Sequence, residues 1–148
     1  MKRREFLLGA VAAGTLAAAR PAMAGGHGGK PDANLLRLKN REAPSVLEQK
    51  HVPAVDAPAR VTGGRWFDVK VKVGFMKEHP STPEHWITRI TLLADGRKVA
   101  EAEFPEGGVA SPVATFRIRI QKDARLEAVE NCNLHGTWIS EPVLVKAG

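Results

Sequence analysis

The sequence predicts an all-β domain, an immunoglobulin-like antiparallel β-sandwich, and three observations predict it. Phe67, Val69, Val71, Val73 and Phe75 alternate with Asp68, Lys70, Lys72 and Gly74, the period of a strand with one buried and one wet face. Asp95-Gly96 stands between two apolar runs, a strong signal for a two-residue hairpin. Past residue 24 no segment carries a long 3.6-residue apolar period, and glycine- or proline-rich turns recur at 63–64, 80–83, 95–96, 105–108 and 111–112.

Taken in order, the chain opens on Lys2-Arg3-Arg4-Glu5-Phe6-Leu7-Leu8, an arginine pair ahead of an alanine-rich apolar stretch, and reaches Ala22-Met23-Ala24, the small-x-small form of a signal cleavage site. The apolar run from Phe6 to Ala19 is shorter than the roughly 20 residues a membrane span needs. Residues 1–24 therefore read as a twin-arginine export signal, which implies the twin-arginine translocase as a transient partner and a periplasmic location. Residues 25–44 are glycine-rich and charged, a flexible approach with at most one helical turn around Leu35, Leu36 and Leu38. His27, set among glycines there, reads as a solvated linker residue.

The folded domain is expected over 45–148. After the strand at 67–75, a second run from Trp86 to Ala94 passes through Asp95-Gly96 into a third from Arg97 to Phe104. Ala114, Phe116, Ile118 and Ile120 alternate with Thr115, Arg117, Arg119 and Gln121. Leu126, Ala128 and the segment from Thr137 to Val145 supply at least two more strands. No internal repeat and no second domain is visible.

Charge narrows the partners. The chain carries 22 basic and 16 acidic residues, a net charge of +6; four of those bases (Lys2, Arg3, Arg4, Arg20) and one acid (Glu5) fall in the leader, leaving +3 for the remainder. Such a surplus suits attraction of a small anion and gives no nucleic-acid-binding stripe. Cys132 is the only cysteine, so no internal disulfide can protect it in an oxidising compartment. Ligation to a metal would.

Cys132-Asn133-Leu134-His135 places an imidazole three positions after that thiol, and His51, His79 and His85 are the other histidines outside the glycine-rich approach. One thiolate and four imidazoles suit iron, copper or zinc, not the oxygen-seeking calcium or magnesium. His79 and His85 flank Pro80-Ser81-Thr82-Pro83-Glu84, a loop stiffened by two prolines. Cys132 and His135 are expected in a second loop, and His51, ahead of Val52-Pro53, in a third segment that folds back to them. Loops gathered at one end of a rigid sandwich are a usual place for a site.

Three segments together carry a resemblance: Lys50-His51-Val52-Pro53, His79-Pro80-x-x-x-x-His85-Trp86-Ile87 and Cys132-Asn133-Leu134-His135-Gly136-x-Trp138. Over roughly residues 46–146 the chain resembles the superoxide reductases, also called neelaredoxins or the catalytic domain of desulfoferrodoxins. The resemblance implies a mononuclear iron with His51, His79, His85 and His135 as equatorial ligands and Cys132 as axial ligand. It implies one-electron reduction of superoxide to hydrogen peroxide, with the iron re-reduced by an external donor such as a rubredoxin-like protein or a small reductant. Relatives of this kind are often dimers or tetramers, so a homo-oligomer is part of the expectation.

Lys50 matches the lysine that family members place over the open face of the iron, where its ammonium attracts the anion and organises a proton-donating water. It is the candidate catalytic residue. One departure stands beside it: the family commonly has glutamate directly before this lysine, whereas here Gln49 holds that position and Glu48 comes one earlier. A sixth ligand in the oxidised state would then be water, nothing, or Glu48 after a shift in register. Trp86 and Trp138 are expected to pack around the site and keep its protein side dry.

Two other readings use the same residues. An exported copper electron-transfer module would use one cysteine and two histidines with a weak axial methionine, leaving two histidines unemployed. A zinc domain or accessory redox protein would favour four ligands in a closed tetrahedron.

Overall fold

The computed structural model describes residues 34–148; the expected export signal at 1–24 and the glycine-rich approach as far as residue 33 lie outside the described residues. Along the chain come α1 (Val46–His51), β1 (Ala54–Asp56), β2 (Arg60–Val61), β3 (Phe67–Lys72), β4 (Ile87–Ala94), β5 (Arg97–Glu103), β6 (Val113–Ile118), β7 (Ala124–Cys132), β8 (Gly136–Ile139) and β9 (Val143–Ala147). Two sheets form. One has the order β1-β3-β6; the other runs β2-β9-β7-β4-β5, with β8 also paired to β7.

The all-β sandwich is thus as expected, and its pairs are antiparallel with one exception, the short parallel pair of β2 with β9. The alternation along β3 places Phe67, Val69 and Val71 inward, and Val73 just beyond the strand continues that row. From the facing sheet Ile90, Leu92, Leu126, Ala128 and Val145 close on them, all fully buried. Phe75 departs from the pattern: the strand ends at Lys72 and the ring is 47% exposed.

The hairpin between β4 and β5 turns on Asp95 at φ 50° and Gly96 at φ 75°, so both central residues take the positive φ of a type I′ turn. At the other end of β4 a bulge lies between Ile87 and Arg89, opposite the last residues of β7. Bulges of this kind re-aim the chain, and this one sits where β4 emerges from the loop that carries His85.

Two local expectations are corrected, at Cys132 and around Leu36, and the segment of His51 gains a definite form. Cys132 is the last residue of β7, paired with Gly136, and not part of a loop; only Asn133 to His135 make the turn. The segment bearing His51 is a short helix, too short to show a 3.6-residue period. Its start is a complete capping box: Ser45 Oγ accepts from the Glu48 N–H (3.2 Å), and the Glu48 carboxylate accepts from the Ser45 N–H (2.7 Å). Around Leu36 there is no helical turn but a single parallel bridge to Trp138, in which the Leu36 N–H donates to the Thr137 carbonyl (2.9 Å) and the Leu36 carbonyl accepts from Ile139 (3.0 Å).

Candidate metal centre

Four segments bring donors to one end of the sandwich: the last residue of α1 brings His51, the loop between β3 and β4 brings His79 and His85, the end of β7 brings Cys132, and the turn into β8 brings His135. The loop leaves β3 through Gly74, at φ 75°, where an added Cβ would lie 2.4 Å from the His79 backbone nitrogen. Any larger residue there would push His79 out of place.

All five expected ligand residues come together. The four imidazoles form a closed ring. Neighbouring centroids are 4.7 Å apart for His51–His79 and His79–His85 and 4.8 Å for His85–His135 and His51–His135, with interplanar angles of 69–86°. His51 and His85, across the ring, lie 6.2 Å apart and close to parallel at 27°. The nitrogens of His51, His85 and His135 and the sulfur of Cys132 all fall within 4.8 Å of one another, and His79 Nε2 is 3.2 Å from His51 Nε2.

Hydrogen bonding fixes which nitrogen of two rings carries the proton. His51 Nδ1 is 2.8 Å from the Leu47 carbonyl and His79 Nδ1 is 2.6 Å from the Pro80 carbonyl. A carbonyl only accepts, so both Nδ1 atoms carry hydrogen and both Nε2 atoms present lone pairs. Burial pulls His79 down to about 4 and lowers His51 and His85 as well, so these rings are neutral at pH 7. The 3.2 Å approach of two Nε2 atoms is then lone pair against lone pair. It is repulsive unless a cation lies between them.

The spacing fits such a cation. Metal–nitrogen bonds of about 2.1 Å at right angles separate the nitrogens by roughly 3 Å, and the His51–His79 and His85–His135 donor pairs are 3.2 and 3.1 Å apart. Backbone carbonyls holding the far nitrogen of ligand rings are the usual way a protein orients them.

The sulfur is 3.6 Å from His135 Nδ1, and Cys132 is only 2% exposed. Burial raises the thiol's pKa most strongly; backbone N–H groups of Leu134 and His135 pull it down, and the nearby Glu130 pushes it up. The two N–H groups are the expected tuning contacts to the sulfur. Trp138 stacks on His51 at 5.4 Å and 25°, and its indole N–H donates to the His135 carbonyl (3.1 Å), closing the inner side of the site. Trp86 turns elsewhere, donating from its indole to the Phe104 carbonyl (2.9 Å).

Lys50 is half-buried in the last turn of α1, next in sequence to His51, and its charge disfavours protonation of both His51 and His85. Glu48 is not available to the site. Its two oxygens accept from the Lys39 N–H (2.8 Å) and the Ser45 N–H (2.7 Å), and the Ser45 hydroxyl foremost, with these N–H groups, holds its carboxyl below the usual range. Gln49 donates its amide to the Pro44 carbonyl (2.8 Å). The capping role of Glu48 is legible in Ser45-x-x-Glu48. Sequence reasoning also passed over Glu130, fully buried on the inner face of β7 two residues before Cys132, although Leu126, Ala128, Glu130 and Cys132 share one strand period.

Residues 44–141 match the family model described as desulfoferrodoxin. The chain is 36% identical over 104 residues to the superoxide reductase of Thermococcus kodakarensis, an overlap of 65% of this chain and 88% of that protein. It is 33% identical over 110 residues to the neelaredoxin of Megalodesulfovibrio gigas, covering 62% and 84%. A solved structure of the superoxide reductase (neelaredoxin) from Ignicoccus hospitalis matches with a TM-score of 0.66 at 30% sequence identity, covering 77% of this chain and 95% of that one.

Proposed function

Because the chain belongs to the desulfoferrodoxin family and is an oxidoreductase acting on superoxide, we propose that it reduces superoxide to hydrogen peroxide at one iron held by His51, His79, His85, His135 and Cys132. The observation that carries this reading is the pair of facing Nε2 lone pairs within a ring of four imidazoles beside a buried thiol. That donor set is borderline to soft, as iron of this family requires. A blue-copper site would leave two of the four converging histidines without a role, and a closed zinc tetrahedron would leave one donor over.

Superoxide takes up one electron and two protons and leaves as hydrogen peroxide. The iron, when bound, supplies that electron and regains one from an external donor. The protein's residues do the rest. Imidazoles kept neutral by burial would leave a bound iron cationic, and the ammonium of Lys50, next in sequence to His51, adds a second positive charge whose field reaches His51 and His85, so both would attract the anion. The same ammonium holds the water that passes on a proton. Burial keeps the Cys132 thiol protonated in the metal-free protein; with iron bound it would ligate as thiolate, its sulfur facing the Leu134 and His135 N–H groups, and would supply electron density to the metal.

With Glu48 held by its capping bonds and Gln49 by Pro44, neither side chain is free to serve as the sixth ligand of an oxidised iron, a position that water or an anion would then take. The donor is a separate rubredoxin-like protein or small reductant, met in the periplasm after export by the twin-arginine translocase. The leader sequence Lys2-Arg3-Arg4 through Ala24 supports that location.

The test is to purify the protein without oxygen, quantify its metal, record the optical spectrum before and after oxidation, and follow decay of a superoxide pulse. One iron per chain, a thiolate band that appears on oxidation, and peroxide formed without dioxygen are the expected results. An intense blue copper–thiolate band, or zinc and no colour in either state, would reject the reading.

A further inference from the structure

His85 differs from the two inner rings. His51 and His79 each have their far nitrogen tied to a carbonyl of their own segment, whereas the His85 ring meets other imidazoles, edge-on against His79 and through Nε2 to His135 Nδ1 at 3.1 Å. Its orientation therefore depends on the backbone around it. Within its own loop, the His85 N–H donates to Thr82 Oγ1 (3.1 Å) and the Thr82 N–H donates to the His85 carbonyl (2.9 Å). Those bonds shape the loop and leave its place against the thiol undetermined.

The neighbouring peptides are held by one residue of the other ligand segment. Asn133 Nδ2 donates to the Glu84 carbonyl (2.8 Å), Asn133 Oδ1 accepts from the Trp86 N–H (2.9 Å), and the Asn133 N–H donates to the Trp86 carbonyl (3.2 Å). One carboxamide thus grips the chain on both sides of His85. The amide orientation follows from its partners, since an N–H must face oxygen and a carbonyl must face NH₂. Asn133 itself follows Cys132 directly and precedes His135 by two.

We propose that Asn133 is a positioning residue that docks the His85 loop onto the Cys132–His135 turn, so that His85, His135 and the thiol reach the metal as one preassembled unit. The proposal rests on the metal-centre reading above. Asparagine suits the task because it offers a donor and an acceptor side by side at a short, fixed reach. Alanine offers neither, and glutamine offers both one methylene too far out. Thr88 provides the comparison: its hydroxyl donates to the Asn131 carbonyl (3.1 Å) and Asn131 Oδ1 (2.9 Å), joining the same two segments three residues beyond His85.

The experiment compares wild type, Asn133→Ala and Thr88→Ala. Ferrous ion is titrated without oxygen against a competing chelator, and melting temperatures are taken with and without iron. Asn133→Ala is expected to bind ferrous ion about ten- to a hundred-fold more weakly, to melt near wild type when metal-free, and to gain less from iron. Thr88→Ala should keep wild-type affinity. Equal affinity in Asn133→Ala, or an equal loss in Thr88→Ala, would overturn the proposal. Should the alanine variant not fold, Asn133→Gln takes its place, with weaker ferrous binding expected and wild-type binding overturning the idea.

Wild type that binds no ferrous ion would reject the metal-centre reading instead. The clamp is then decided on metal-free protein by hydrogen exchange of the Trp86 amide. Slow exchange in wild type that becomes fast in Asn133→Ala upholds it; unchanged exchange removes it.

Discussion

The interior of the sandwich and its metal-binding end are both buried, and they are built on opposite principles. Between the sheets, Val69, Val71, Ile90, Leu92, Leu126 and Val145 fill space with aliphatic groups that have no directional demand. At the end, His51, His79 and Cys132 are equally buried, and each is directed by a particular partner: the Leu47 carbonyl, the Pro80 carbonyl, or the N–H groups of Leu134 and His135. The interior is redundant, and a local loss there is shared among neighbours. The site holds one copy of each contact. Glu130 marks the boundary, with no protein partner for either carboxylate oxygen among the described residues and its pKa raised by burial to about 9.

The sharpest break in that comparison comes from Cys132→Ser. It should lower ferrous affinity at least about a hundred-fold, because a hard hydroxyl replaces the one soft donor, and it should erase the ferric–thiolate band while the metal-free protein unfolds near its usual denaturant midpoint. Retention of the band would remove the central assignment. Leu92→Ala is the converse. Loss of about 2–5 kcal/mol in denaturant unfolding is expected from the cavity it leaves, with the optical spectrum of the iron-loaded protein unchanged. A shifted spectrum would mean that interior and site are mechanically coupled.

Glu130 sharpens the comparison at the boundary. Its folded pKa is raised from 4.5 to about 9, so the folded state holds a proton that the unfolded chain releases at neutral pH. The stability it supports is complete below about 4.5 and declines as pH rises toward 9. Between pH 7 and 8, above the range where the lowered histidines contribute and below that where the raised Cys132 thiol begins to, the metal-free protein should lose stability in urea, and Glu130→Gln should flatten that slope. An unaltered slope would show that Glu130 is not the group responsible.

The smallest effect belongs to Lys50, a matter of rate and not of structure. Lys50→Ala should slow the reaction with superoxide by about tenfold at low ionic strength and reduce its dependence on salt, as loss of one steering charge predicts. The iron spectrum should remain as in wild type. A rate unchanged at every salt concentration would return Lys50 to the solvated surface.

Much of the interior was legible because its signals are local. Alternation along Phe67–Lys72 needs no knowledge of the partner sheet, and Asp95-Gly96 prescribes its turn from two residues. What escaped was of two kinds. Some signals were present but brief, as with α1, whose six residues show no periodicity although Ser45-x-x-Glu48 announces its start. Others had no local trace: the parallel pairing of β2 with β9, the bridge from Leu36 to Trp138, and the reach of the Asn133 side chain to Glu84 and Trp86 depend on which distant segments lie side by side.

For the site, the amino-acid sequence alone supplied the candidate donors, since one cysteine and four histidines outside the glycine-rich approach leave little choice of nitrogen and sulfur, and their spacing resembles that of a known family. Tertiary structure decided the rest. His51 and Cys132 are 81 positions apart in the sequence, and no local rule says that an imidazole at the end of α1 meets a thiol at the end of β7. The register of Ile87 against Cys132, the bulge after Ile87 and the carbonyls of Leu47 and Pro80 set that meeting. They also determine which nitrogens face inward. Glu48 shows the same division: its sequence position left it as a possible ligand, and two backbone N–H groups in the folded chain hold it as a helix cap instead.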